Sequence, residues 1–192
     1  MPAPLADFRP PLEVEAFHAL NFDGGPLLDA AARLLSAHLF GVAAGLGLAL
    51  LLWRSLGRFA LRGIVALGLA VVIADAGGSQ LIRPLFGRRR PCYLLPAREV
   101  RWLLHAADVP SMPSLHAANF FALAMVASLA DYRMAPLAYA LATAVAWSRV
   151  YGGVHWPLDV VAGAAWGSLA GLVAWAIVSR LLRNRLADRR SP

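Results

Sequence analysis

Apolar residues fall along this chain in long blocks separated by short polar segments. Five blocks stand out, from Leu27 to Trp53, Phe59 to Ile82, Ser114 to Leu129, Ala135 to Val150 and Leu158 to Leu182. Each is close to the roughly 20 residues that carry a helix across ~30 Å of hydrocarbon, so the pattern predicts membrane-spanning helices. The first block is long and opens with Asp29, Arg33 and His38. Its early turns are therefore expected in the interface, with Phe40 to Leu52 in the apolar layer. Leu12 to Leu20 reads as a short surface helix. The expected fold is all-α, a polytopic membrane helix bundle of five or six transmembrane helices with the active site at one membrane face.

Composition supports lipid as the solvent. Of 192 residues 59% are apolar and 15% charged, and the mean hydropathy is +0.60, too apolar for a soluble domain of this length. The length suits one domain spanning residues 1–192, with 1–26 as an N-terminal interfacial arm and 183–192 as a basic cytoplasmic tail. The segment from Met1 to Asn21 lacks the basic-then-apolar order of a cleavable signal peptide. Cys92 is the lone cysteine, so no disulfide within the chain is expected. All 18 basic residues are arginine and the formal charge is +7. Guanidinium is the planar, bidentate partner of phosphate. The arginines sit in short segments between apolar blocks instead of on a basic face, which argues against a nucleic-acid partner.

Where the arginines fall also predicts topology. Arg54, Arg58 and Arg62 lie between the first two blocks, Arg133 follows the third, and Arg183, Arg185, Arg189 and Arg190 crowd the tail, whereas Asp7, Glu13, Glu15, Asp23 and Asp29 mark the arm. The positive-inside rule then puts the basic turns in the cytoplasm. The arm, the loop from Arg83 to Pro113 and the turn from Tyr151 to Pro157 share the outer face. That loop nevertheless holds Arg83, Arg88, Arg89, Arg90, Arg98 and Arg101, so another requirement must keep cations outside.

Phosphate chemistry supplies that requirement. Arg83, Arg88 and Arg90 precede Pro91, the third block begins Pro113-Ser114-Leu115-His116, and the last turn carries Arg149, His155 and Asp159. All sit at one membrane level. Arg83, Arg90 and Arg149 can spread the charge of a phosphate dianion bidentately, while Ser114 and the first amides of its helix add donors at a positive dipole end. One helical turn separates His155 from Asp159, so the carboxylate can fix one ring nitrogen and leave the other to attack phosphorus. His155 is the expected nucleophile and His116 the expected general acid. Arg88 is expected either on the phosphate or as a loop anchor.

The segments Arg83 to Pro91, Pro113 to His116 and Ser148 to Asp159 resemble the three signature motifs of the type 2 phosphatidic acid phosphatase superfamily, which includes lipid phosphatases and vanadium haloperoxidases. The stretch Ala16-Phe17-His18-Ala19-Leu20-Asn21 with Leu28-Asp29 resembles the start of small bacterial undecaprenyl-diphosphate phosphatases. The resemblance implies His155 as nucleophile, Asp159 as its orienter, His116 as acid, and Arg83, Arg90, Arg149 and Ser114 as phosphate ligands. It also implies that no metal or other cofactor is needed. Two positions depart from the family pattern. Arg83 stands where Lys is usual, and Leu115 where Gly is usual, which would bring a bulky side chain beside the phosphate.

The implied activity is hydrolysis of a lipid phosphate or diphosphate through a phosphohistidine, with undecaprenyl diphosphate as leading substrate. Phosphatidate, phosphatidylglycerol phosphate and lipid A phosphates are rivals. A lipid phosphotransferase and a non-catalytic scaffold binding anionic lipid are the other classes. The expected location is the bacterial inner membrane with the site on the periplasmic or extracellular face, the partners being the bilayer and its lipid phosphate. His18, His38 and His105 are expected to be solvated, and Arg89, Arg98 and Arg101 to face headgroups. Asp75 is expected to bond inside the bundle near Gly77 and Gly78. Trp53, Trp102 and Trp156 read as interfacial anchors, and Trp147, Trp166 and Trp175 as packing or lipid-facing residues.

Overall fold

The computed structural model describes residues 9–188 and, for residues 183–188, the backbone alone. Asp7 and the basic side chains of the tail from Arg183 onward lie outside the described residues. Every regular element among the described residues is helical: α1 (Pro11–Leu20), α2 (Gly25–Leu35), α3 (His38–Leu56), α4 (Leu61–Gly77), α5 (Arg83–Phe86), α6 (Pro91–Leu94), α7 (Leu115–Ala130), α8 (Ala135–Tyr151) and α9 (Pro157–Asp188). Two helical stretches, His38–Leu94 and Pro157–Leu182, are long and apolar enough to cross a membrane, and Leu115–Ala130 is a shorter apolar helix. Leu39, Leu46, Val65, Val72, Leu137, Val161 and Leu169 point outward from α3, α4, α8 and α9. So many exposed aliphatic side chains suit hydrocarbon and would be a liability in water.

The centre of the bundle is α7. Ala118, Ala122, Leu123 and Val126 are buried against α4, α8 and α9. Its tightest neighbour is α9, and the reason is in the sequence: Gly163, Gly167 and Gly171 form one ridge at helical spacing. A Cβ on Gly167 would sit 2.0 Å from the Ala118 carbonyl oxygen, and one on Gly171 2.7 Å from that of Ala122. Without side chains there, the two backbones meet, which is how helices associate when lipid offers no hydrophobic driving force. This seam brings the N-termini of α7 and α9 side by side, where the Ser114 amide donates to the Asp159 carbonyl at 2.9 Å.

The first apolar block is not one helix. It breaks at Ser36–Ala37, where Ala37 turns extended (φ −73°, ψ 137°), separating α2 from α3. Asp29 on α2 accepts from the Tyr151 hydroxyl at 2.6 Å and pairs with Arg101, tying α2 to the end of the bundle that carries the site. Asp75, on α4, accepts from Asn119 of α7 at 3.2 Å.

Candidate active site

Local chemistry shapes each of the three segments. Pro84 has no amide hydrogen for the carbonyl one turn back, and the chain ahead of it widens into a π-turn over Gly78–Ile82, delivering Arg83 to the end of the bundle. Gly87 then takes the left-handed conformation (φ 57°) that stops α5. Pro91 holds Arg90 extended at ψ 152°. In the third segment Gly153 has φ +78°, and a Cβ there would sit 2.5 Å from the Arg101 carbonyl oxygen. That turn presents Val154 and His155 immediately before α9 starts at Pro157.

His155 is buried at the point where these segments meet. Its Nε2 lies 3.0 Å from Arg90 NH1 and its Nδ1 3.4 Å from Asp159 Oδ2. Guanidinium can only donate, so Nε2 must accept and carry the lone pair, which leaves the ring proton on Nδ1 facing the carboxylate. Burial first, then the charges of Arg90, Arg149 and Arg83, push the His155 pKa well below its ordinary 6.5. The ring is therefore neutral at pH 7, with a nucleophilic nitrogen. Asp159 is fixed in turn: Oδ2 accepts from the Trp156 amide at 2.9 Å, and Oδ1 from Arg88 at 2.9 Å. The first of these bonds is half of a capping box, the third helical residue reaching back to the amide that precedes the helix.

Around the ring lie donors without acceptors. Ser114 is fully buried, caps no amide of α7, and its hydroxyl has no hydrogen-bond partner. The first amides of α7 likewise have no acceptor within their helix. Arg149 is 6% exposed, its Nε is unpartnered, and it forms no ion pair among the described residues. Arg83 Nε is also buried and unpartnered. Arg83 lies within electrostatic reach of Arg90 and Asp159, and His116 within reach of Arg149 and His155. Arg149 without a counter-ion, Arg83 with an unpartnered Nε and the unused Ser114 hydroxyl are donors of the kind an oxyanion would require. His116 Nε2 lies 3.2 Å from the Ser36 carbonyl, which can only accept, so that nitrogen bears the proton. Among the described residues, no group of three or more His, Cys, Asp or Glu could hold a metal ion.

Several sequence expectations change here. Arg88, expected in part as a phosphate ligand, directs its guanidinium at Glu13 and Asp159. Trp156 is no interfacial anchor: it is fully buried, its indole donating to the Arg89 carbonyl at 2.9 Å and packing on Phe17 at 5.1 Å. Arg101 faces Asp29 and Asp23 instead of headgroups alone. Leu115 places its side chain in the notch at Gly78 on the α4 side, and no described non-glycine residue has positive φ. Its amide therefore remains available at the start of α7. Glu13, Ser36 and Ser111 were missed. Ser36 acts through its backbone carbonyl on His116, and Ser111, through backbone and side chain, on His155 and Asp159, contacts that sequence spacing does not announce.

The chain is similar to several known proteins. The chain is 32% identical over 182 residues to the candidate undecaprenyl-diphosphatase YbjG of Escherichia coli (strain K12), covering 91% of this chain and 88% of that one. It is 32% identical over 142 residues to the lipid A 4'-phosphatase of Bacteroides thetaiotaomicron, covering 70% of this chain and 62% of that protein. The crystal structure of Aquifex aeolicus LpxE superposes with a TM-score of 0.65 at 27% identity, over 88% of this chain and 97% of that one. The transmembrane PAP2-type phosphatidylglycerolphosphate phosphatase of Bacillus subtilis shares the fold, with a TM-score of 0.61 at 18% identity over 88% and 85% of the two chains. Residues 59–183 match the PAP2 superfamily, and this chain is a member of it: a phosphoric ester hydrolase of the membrane lipid phosphatase family.

Proposed function

We propose that the chain removes the terminal phosphate of undecaprenyl diphosphate at the outer face of a bacterial inner membrane. One observation carries the site reading: a buried, neutral His155, oriented by Asp159, faces cationic and hydroxyl donors that have no acceptor of their own. Arg83, Arg90 and Arg149, with Ser114 and the α7 amides, hold the phosphoryl oxygens. Arg90 leaves Nε2 for the phosphate as substrate enters, freeing the lone pair. Nε2 then bonds to phosphorus while the bond to the leaving oxygen breaks and His116, entering the step as the imidazolium with its Nε2–H held by Ser36, gives its Nδ1 proton to that oxygen and is left neutral. Water next attacks phosphorus, gives its proton to His116, and the P–N bond breaks to release inorganic phosphate and neutral His155. Asp159 balances the positive charge that builds on the ring while phosphorus is attached.

In this reading five crossings, α3, α4, α7, α8 and α9, put the site and the arm outside and Arg54, Arg58, Arg62 and the tail inside, as the distribution of arginine supports. The choice of substrate rests on the likeness to YbjG along most of both chains. Lipid A is the second reading, favoured by the LpxE superposition and the lipid A 4'-phosphatase match. Phosphatidate and phosphatidylglycerol phosphate complete the set. The test is phosphate release from purified protein over these four lipids, with and without EDTA and vanadate. The proposal expects the fastest turnover on undecaprenyl diphosphate, indifference to EDTA, and inhibition by vanadate as a mimic of five-coordinate phosphorus. Faster turnover on lipid A would replace the substrate, and loss of activity in EDTA would contradict the mechanism.

A further inference from the structure

Glu13 belongs to the arm, where an acidic residue in an amphipathic turn would ordinarily face water, yet it is 5% exposed. Both carboxylate oxygens are engaged. Oε1 accepts from Arg88 NH1 at 3.0 Å and from the Leu158 amide at 2.9 Å, and Oε2 pairs with Arg88 NH2. The same Arg88 NH1 donates to Asp159 Oδ1 at 2.9 Å. The residue that would normally cap α9 is Trp156, which has no acceptor in its side chain, so an amide in the first turn goes to Glu13 from the other end of the sequence.

The charges explain what this achieves. Two carboxylates share one guanidinium, so the buried group Glu13, Arg88 and Asp159 keeps one net negative charge. That charge sits where His155 Nδ1 meets Asp159 Oδ2. Were Glu13 neutral, Arg88 would face Asp159 alone and the group would carry no net charge. Asp159 would then do less to stabilise a phosphorylated, cationic imidazole. We infer that Glu13 is a positioning residue for His155, acting through Arg88 and the first turn of α9. The role rests on the phosphohistidine reading above and adds to it a residue outside all three motifs.

The experiment compares wild type, E13Q, E13A, R88Q and the double variant E13Q/R88Q in full-length detergent-solubilised protein. Farnesyl diphosphate and dioctanoyl phosphatidate serve as probes, both labelled with 32P in the transferred phosphoryl group. E13Q keeps the shape and an acceptor for the Leu158 amide while removing the charge. It is expected to slow kcat and single-turnover phosphorylation by about 10–100-fold, the usual cost of losing a carboxylate behind a functional histidine, with KM within about threefold. E13Q/R88Q restores one negative charge to the group and is expected to recover several-fold of that loss, a coupling that a merely structural role would not give. E13A reports the added loss of the amide contact and is expected to be slower than E13Q. An E13Q protein that labels as fast as wild type overturns the role. So does a loss shared equally by kcat and KM, tracking a lowered Tm, without recovery in the double variant. Wild-type protein that forms no acid-labile phosphoprotein overturns the reading of the site itself. Wild type that labels normally beside an equally fast E13Q overturns Glu13 alone.

Discussion

Arg88 and Arg149 are buried to almost the same degree, 2% and 6% exposed, at the same end of the bundle, yet their surroundings are opposite. Arg88 is held between Glu13 and Asp159, while Arg149 meets no carboxylate among the described residues and keeps an unpartnered Nε. A buried charge with partners belongs to the protein's own structure. One without a counter-ion carries a desolvation cost that the proposed phosphate would offset. The sequence places Arg149 among the expected phosphate ligands and leaves Arg88 between phosphate contact and loop anchor, and the carboxylates of Glu13 and Asp159 decide Arg88 for the anchor.

The separation makes opposite forecasts for activity and stability. Arg149→Ala removes a donor to the transferring phosphoryl group and is expected to lower kcat/KM by about 10²–10³-fold, the scale of losing one preorganised oxyanion donor. Its Tm should be equal to or above wild type, since an uncompensated buried cation is gone. A large fall in Tm would show that Arg149 is structural after all. Arg88→Met leaves Glu13 and Asp159 buried without their counter-ion and is expected to destabilise the fold by about 3–5 kcal/mol, the usual range for breaking a buried pair. Thermal unfolding measures it, and an unchanged Tm would erase the contrast. The smallest effect is on His155 itself. Because burial and the neighbouring arginines lower its pKa from 6.5, its ring should not titrate by NMR between pH 8 and the ordinary histidine value. In Arg149→Ala its pKa should move up toward that value. The unfolded chain takes this proton first as pH falls through 6.5, so stability from this group is lost below that pH and unaffected above it.

Much of this was legible from the chain, for identifiable reasons. Apolar blocks report helices because backbone groups in lipid must be satisfied within the segment, and the blocks from Ser114, Ala135 and Leu158 emerge as α7, α8 and α9. His155 and Asp159 were readable as a pair from their four-residue spacing, which the structure realises across the start of α9, where His155 lies just ahead of the helix. The break at Ser36–Ala37 was hidden, since the apolar pattern runs through it and α2 is held by Asp29 contacts with Arg101 and Tyr151, both far along the sequence. Glu13 was hidden for the same reason: 75 residues separate it from Arg88 and 145 from Leu158. Trp156 misled because tryptophan near a polar turn usually marks the interface, while here the fold closes over it. The place taken by Leu115 was hidden as well. Its bulk is absorbed by Gly78, on a helix that spacing alone does not bring near.

The central claim is that phosphorus bonds to His155. Wild-type protein quenched within milliseconds of mixing with 32P-labelled lipid diphosphate, digested and mapped by mass spectrometry tests it directly. The account predicts an acid-labile, base-stable phosphate on the peptide containing His155, formed at least as fast as inorganic phosphate appears and absent in His155→Ala. Inorganic phosphate released at full rate with no label on His155, or from His155→Ala protein, would contradict it.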